Sequence, residues 1–286
     1  MRYEAPESLD AAVKLLAGEA GLARVLAGGT DLLVQLRSGR VEPELVIDVK
    51  RIPELSDITA EDGGFRIGAA VTGAELGEHA EVVSLWPGVV EATELIGSTQ
   101  IQGRASMGGN LCNASPAADS VPALIAARAV ATVVGPGGRR EVAVGEIATG
   151  PGKTSLAKGE IVVSLFLPSR PPHSGDAYLR FIPRTEMDIA VVGAGVSLTL
   201  NDNGVCSDAR IVLGAVAERA LLVYEAAEAL VGTTFDGEAL EALARATSAA
   251  CRPIDDMRGT KDFRIKVAGV LARRATEIAL ERARAC

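Results

Sequence analysis

The stretch Ile96-Gly97-Ser98-Thr99-Gln100-Ile101-Gln102-Gly103-Arg104-Ala105-Ser106-Met107-Gly108-Gly109-Asn110-Leu111-Cys112-Asn113-Ala114-Ser115-Pro116-Ala117-Ala118-Asp119-Ser120-Val121-Pro122 separates two periodic parts of the chain. From Gly97 on it is rich in Gly, Ser, Asn, Ala and Pro and has few large apolar side chains to anchor it. It therefore reads as a long loop, and long loops without structure of their own tend to carry function. Its Ser106-Met107-Gly108-Gly109-Asn110 segment has a counterpart upstream, Ala27-Gly28-Gly29-Thr30-Asp31, between a strand-like and a helix-like run. Glycines let backbone N–H groups converge on an anion, so both turns could cradle a diphosphate. Neither is G-x-G-x-x-G, and neither ends in Gly-Lys-Ser/Thr, which removes the dinucleotide fingerprint and the P-loop. Taken singly, each Gly-Gly pair is also compatible with a plain chain reversal.

Working outward, Ser8-Leu9-Asp10 opens a helix carrying Leu9, Val13, Leu16 and Ala17, closed by Gly18 and Gly21. A strand over Arg24 to Ala27, a helix through Arg37 and a strand over Glu44 to Val49 complete a β-turn-α-β unit. Asp62-Gly63-Gly64 turns into an alternating strand, Phe65 to Ala69. Ala74 to Ile96 is mostly helical, with a break near Trp86-Pro87-Gly88. After the long loop come a short helix near Ala123 to Ala127 and strands near Ala129 to Val134, Arg140 to Val144 and Glu160 to Leu167. The Pro-rich run Pro168-Ser169-Arg170-Pro171-Pro172-His173-Ser174-Gly175 is the domain boundary the sequence offers. Beyond it, strands at Tyr178 to Ile182, Ala190 to Leu200 and Ala209 to Ala215 precede helices at Glu218 to Val231, Gly237 to Ser248 and Phe263 to Arg284. That tail reads as a three-stranded antiparallel sheet covered by helices, so the fold class is α+β. There is no internal repeat.

Composition narrows the function. The chain has 286 residues, enough for two domains, with 48% apolar and 23% charged residues. Only 3% are aromatic and the net charge is −8, which argues against nucleic acid as a ligand. No apolar run is long enough to span a bilayer, and Met1 to Pro6 leads straight into a helix rather than a signal peptide, so a cytoplasmic location is expected. Cys112, Cys206, Cys251 and Cys286 contain no C-x-x-C pair and read as reduced thiols. With only His79, which reads as a solvated helix end, and His173 available, the sequence gives little support to a Ser-His-Asp triad or a multi-histidine metal site.

The Ile96 to Pro122 segment, together with Leu26 to Leu33, resembles the flavoprotein (medium) subunits of the xanthine dehydrogenase and carbon monoxide dehydrogenase family. Those subunits hold FAD between an A-G-G-T/H-like loop and a G-G-N…A-S-P…D loop. Further blocks resemble the same family: Tyr178-Leu179-Arg180-Phe181-Ile182-Pro183-Arg184, Asp188-Ile189-Ala190, Ala209 to Gly214, Ile254-Asp255-Asp256-Met257-Arg258-Gly259 and Phe263-Arg264. The resemblance covers essentially the whole chain. It implies a PCMH-type FAD-binding domain at 1–170, in subdomains of about 1–54 and 55–170, and a flavoprotein C-terminal domain at 171–286. It also implies that Ala27, Gly28, Gly29, Thr30, Asp31 and Leu32, with Ser106, Met107, Gly108, Gly109 and Asn110, hold FAD by its diphosphate. Asp119 would help hold the adenosine end or the loop itself, with a helix N-cap as the alternative. Ile96, Val162 and Arg180 fall where the family places flavin-ring contacts. Arg180 departs from the Lys common in relatives; it would still stabilise an anionic reduced ring, and a surface salt bridge is its alternative role.

The resemblance further implies an oxidoreductase built as a dimer of heterotrimers. A large molybdenum-pterin subunit hydroxylates the substrate, a small subunit carries two [2Fe-2S] clusters, and the FAD of this chain passes electrons to an external acceptor. Thr30-Asp31 stands where the carbon monoxide dehydrogenases proper tend to have His-Ser, an argument against carbon monoxide as the substrate. A stand-alone flavin oxidoreductase would need acids, bases or aromatics in the second domain, where Tyr178 is almost the only candidate. A non-catalytic assembly or ligand-binding protein would reduce both glycine segments to ordinary turns.

Overall fold

The computed structural model describes residues 1–61 and 63–285. Strands β1 (Arg2–Glu4), β2 (Ala23–Leu26) and β3 (Leu45–Asp48) form a parallel sheet in the order β1-β3-β2, linked through helices α1 (Leu9–Gly18) and α2 (Leu32–Arg37). The Ser8 side chain caps α1 by accepting from the Ala11 amide. Leu45, Val46 and Ile47 make β3 an unbroken apolar run, as a central strand buried on both faces requires.

A second, antiparallel sheet follows in the order β4-β5-β10-β6-β7, built from β4 (Ile58–Glu61), β5 (Gly64–Gly68), β6 (Val130–Gly135), β7 (Gly138–Ala143) and β10 (Ile161–Pro168). The small hairpin β8 (Ala148–Gly150) and β9 (Lys153–Thr154) stands apart. Strand β10 joins two cores: Ile161 and Val163 pack with the first sheet and Val162 with the second, and an irregularity in the β6 pairing between Val162 and Ser164 returns Leu165 and Leu167 to the face of Val162. Of the turn expected at Asp62-Gly63-Gly64, Asp62 lies outside the described residues, as does Cys286.

Helices α3 (Gly73–Glu78), α4 (Ala80–Leu85) and α5 (Pro87–Glu94) occupy the region expected to be helical with one break. The break at Trp86-Pro87 is present, and a second falls at His79, whose Nδ1 accepts from the Val82 amide. His79 is half-buried with its ring edge against Phe65, so the solvated helix end expected from sequence is a packed cap. The Gly97 to Pro122 segment is not a bare loop. It holds α6 (Thr99–Gln102), α7 (Met107–Cys112) and the start of α8 (Ser120–Ala126). Local side-chain bonds organise it, because Ser106 Oγ accepts from the Gly109 amide and so caps α7.

The last third is an antiparallel sheet of three long strands, β11 (Ser174–Phe181), β12 (Val192–Leu200) and β13 (Cys206–Gly214), with a two-residue edge strand β14 (Leu221–Leu222). The helix expected over Glu218 to Val231 shrinks to α9 (Tyr224–Glu228), because Leu221 and Leu222 pair with Leu213 and Val212 instead of coiling. Helices α10 (Gly237–Ala250) and α11 (Lys261–Ala285) cover one face of this sheet. Buried Ala268, Ala272, Ala275, Ala279 and Ala283 let α11 lie close to the strands. At Gly175 a Cβ would sit 1.9 Å from the Ala279 carbonyl oxygen. The other face receives α8 and α5, so both faces of the sheet are covered.

Candidate cofactor site

The two glycine segments meet. A Cβ on Gly28 would lie 1.7 Å from the Arg104 carbonyl oxygen, so the first turn rests on the backbone leading into the second. Gly29 has a φ of +79°, a left-handed conformation that favours glycine. The second segment is fixed in turn: the Gly73 amide donates to the Ala105 carbonyl at 2.8 Å, and Thr72 and Ser106 form a β-bridge. A side-chain bond at 3.1 Å from Gln35 Nε2 to Asn113 Oδ1 ties α2 to the end of α7. The amides of Gly28, Gly29, Thr30 and Asp31 find no acceptor among the described residues. Leu32, the first residue of α2, follows directly.

Within the second segment the residues divide by role. A Cβ on Gly108 would press to 2.4 Å on the Ala69 carbonyl oxygen, so that glycine serves close packing. A Cβ on Gly109 would meet only Ser106 Oγ, at 3.2 Å, and its remaining surroundings are open. Asn110 Oδ1 accepts from both the amide and the hydroxyl of Ser120, at 3.2 and 2.8 Å, fastening α7 to the start of α8. Met107 is buried in the same core as Val162, beneath the cradle.

Asp119, just before α8, is joined to Arg180 on β11. Its Oδ1 accepts from the Tyr178 hydroxyl at 2.9 Å and its Oδ2 from Arg180 Nη1 at 2.8 Å. Tyr178 and Arg180 are two apart on β11 and so share a face. Asp119 makes no capping bond to α8, which removes the N-cap alternative. The Arg180 and Asp119 side chains are only 5% and 9% exposed, so the pair is buried rather than a surface bridge. Burial pushes the Asp119 carboxyl up to about 6, against the pull of Arg180 and Tyr178. The Tyr178 phenol is raised well above its ordinary value, first by burial and then by the Asp119 charge. Arg180 Nε is buried without a partner among the described residues, an N–H that calls for an acceptor. Ile96 is buried beside Gly97, whose carbonyl accepts from the Met187 amide, so the segment after β11 reaches back to this region.

Sequence reading missed Tyr3, Asp48 and Lys50. Lys50 Nζ donates to the Ala27 carbonyl at 3.0 Å and to Asp48 Oδ1 at 2.7 Å, and the Tyr3 hydroxyl donates to Asp48 Oδ2 at 2.6 Å. The available signal was Asp48 ending the apolar run Leu45-Val46-Ile47, since a carboxylate there needs a partner. Among the described residues no group of His, Cys, Asp and Glu gathers as a metal site would. Cys206 and Cys251 are buried free thiols, pushed up to about 11 by burial, and Cys112 is free and exposed.

Comparison with known proteins covers both halves of the chain. Residues 1–170 match the family model described as the FAD binding domain in molybdopterin dehydrogenase, and residues 177–279 match the CO dehydrogenase flavoprotein C-terminal domain. The carbon monoxide dehydrogenase medium chain of Hydrogenophaga pseudoflava is 34% identical over 98% of this chain and 97% of its own length. The xanthine dehydrogenase FAD-binding subunit of Escherichia coli O157:H7 is 33% identical over 92% of this chain and 90% of that one. A solved structure of carbon monoxide dehydrogenase from Hydrogenophaga pseudoflava, which lacks the Mo-pyranopterin moiety of the molybdenum cofactor, superposes with a TM-score of 0.95 at 34% identity, over 99% of this chain and 98% of that one.

Proposed function

The chain belongs to the molybdopterin dehydrogenase flavoprotein family, as an oxidoreductase subunit carrying that family's FAD-binding domain, and from that premise we propose that it is the electron-transfer subunit of a molybdenum hydroxylase. In this reading, electrons arrive from the [2Fe-2S] clusters of a small partner, and a separate large molybdenum-pterin partner hydroxylates the substrate. Bound FAD would supply the redox chemistry, electron transfer to an external acceptor, and this chain's residues would bind and orient it. The division at 1–170 and 171–286, a dimer of heterotrimers and a cytoplasmic setting belong to the same proposal. The free buried thiols of Cys206 and Cys251 are consistent with a reducing compartment. Among the described residues no helix is long and apolar enough to cross a membrane.

The residues present suit FAD. The observation that carries the reading is the contact of Gly28 with Arg104, which sets four unanswered amides beside a second glycine segment whose Gly109 side is open. Backbone amides of Gly28 to Asp31 and of Met107 and Gly108 would bind the diphosphate, with Ala27 and Leu32 bounding the turn and Ser106 and Asn110 holding the second segment in shape. Arg180 would offer Nε–H to an acceptor on the ring system while Asp119 and Tyr178 hold its guanidinium in place. Buried Ile96 and Val162 would exclude water on the apolar side.

The test is the absorption spectrum of the chain purified with its neighbouring subunits, followed by acid release and identification of the flavin. One FAD per chain, with iron and molybdenum only in the partners, is the expected result. A folded complex whose chain holds no flavin would overturn the reading. Iron–sulfur or molybdenum centres on this chain itself would do the same.

A further inference from the structure

Lys50 occupies an unusual place for a half-exposed lysine. The β2–β3 pairing continues past the strand ends through the Val49 amide and the Leu26 carbonyl, at 3.1 Å, which brings Lys50 beside Ala27. Its ammonium then spans two acceptors, the Ala27 carbonyl and Asp48 Oδ1. Asp48 is held from its other oxygen by Tyr3 and receives the Lys50 amide as well, at 3.1 Å. A carbonyl oxygen bonded to a cation is costly to rotate away, since charge-assisted bonds are roughly twice as strong as neutral ones.

The consequence follows from peptide planarity. All peptide bonds among the described residues are trans, so the Ala27 carbonyl and the Gly28 N–H point in opposite directions. Fixing the carbonyl on Lys50 fixes the Gly28 amide away from Lys50. The Arg104 carbonyl closes the space at the Gly28 Cα, leaving the turn little freedom to rearrange.

We propose that Tyr3, Asp48 and Lys50 form a positioning relay that aims the Gly28 amide into the diphosphate cradle, so that Lys50 governs FAD affinity without touching the redox ring. This inference rests on the FAD reading given above. Asp48 is suited to the task because it stays ionised. Burial works against its charge, but the bonds from Lys50 and Tyr3 outweigh that and hold its carboxyl below the usual range. No other cation is bonded to Asp48 among the described residues.

The experiment titrates FAD, and separately ADP as a diphosphate probe without a flavin ring, into flavin-stripped full-length chain, following flavin fluorescence and calorimetry. Lys50→Met should weaken both ligands in parallel by about 10- to 100-fold, the range of one charged hydrogen bond, at a factor of ten per about 1.4 kcal/mol. Lys50→Arg, which keeps a cationic donor, should recover most of that loss. Tyr3→Phe should fall between wild type and Lys50→Met. A merely structural lysine would lower the melting temperature of the stripped chain while leaving both affinities within about twofold, and that outcome overturns the relay. Loss of FAD affinity with ADP affinity unchanged would overturn it too, because the relay acts at the diphosphate. If wild type binds FAD and Lys50→Met binds it equally well, only the relay falls. If wild type binds neither probe, the FAD reading falls and the relay with it.

Discussion

At the scale of single residues, the two Gly-Gly pairs look alike in sequence yet their four glycines do different work. Gly28 and Gly108 leave out a Cβ because protein backbone is there, whereas Gly109 leaves one out beside open space. Gly28→Ala should therefore destabilise the chain itself, by about 1 to 3 kcal/mol, since neither the turn nor the Arg104 carbonyl can yield without repacking. Gly109→Val should leave the unfolding temperature of the flavin-free chain nearly unchanged and abolish FAD retention. Thermal unfolding with and without flavin separates the two; stoichiometric FAD in Gly109→Val would sink the site assignment. The glycine segments were legible in the sequence as a pair. Which glycine packs and which admits a ligand was not, because that depends on Ala69 and Arg104, brought close only by the fold. For the same reason the Asp119–Arg180 pair escaped notice, although each residue had been singled out by itself.

At the scale of elements, β11 shows why strand boundaries were harder to read than strand existence. The sequence suggested a start at Tyr178; the strand begins at Ser174, and Asp176 lies inside it, buried. The carboxylate is tolerated because Arg170 Nη1 donates to it at 2.8 Å while stacking over Trp86, and because Arg282, itself paired with Glu91, donates to the Asp176 carbonyl. Even so, burial pushes the Asp176 carboxyl up to about 6, ahead of the opposing Arg170 charge. The folded state then binds this proton more tightly than the unfolded chain, so the group's contribution to stability is greatest below the unfolded value and is lost as the pH rises to about 6. Lowering the pH from about 7.5 to about 5.5 should accordingly shift the stability difference between wild type and Asp176→Asn toward wild type, by on the order of 1 kcal/mol. Urea unfolding of both proteins at the two pH values measures this. A pH-independent difference would mean that Asp176 keeps an ordinary carboxylate affinity for protons.

At the scale of the whole molecule, α8 is the shared part. It begins at Ser120, which Asn110 grips from the second glycine segment, and it follows Asp119, which holds Arg180 and Tyr178 on β11. Its body lies on the C-terminal sheet at Gly195, where a Cβ would come within 2.7 Å of the Pro122 carbonyl carbon, and at Gly214, where it would meet the Pro122 ring at 3.0 Å. The apolar run from Ala190 to Leu200 reads as a strand of a sheet covered by helices, but periodicity alone could not say that one of the covers comes from the other half of the chain. Gly195→Val should therefore push α8 off the sheet, an overpacking cost of about 1 to 3 kcal/mol, and loosen the cradle from a distance through Ser120 and Asn110. The expected outcome is faster proteolytic cleavage between β10 and β11, around residues 169–173, together with weaker flavin retention. Gly237→Ala, at a position where a Cβ meets nothing within 4 Å, is the matched control and should change neither. If Gly195→Val is cleaved at the wild-type rate and keeps its FAD, the two halves are coupled by something other than α8. The buried Asp119–Arg180 pair would then be the next contact to break.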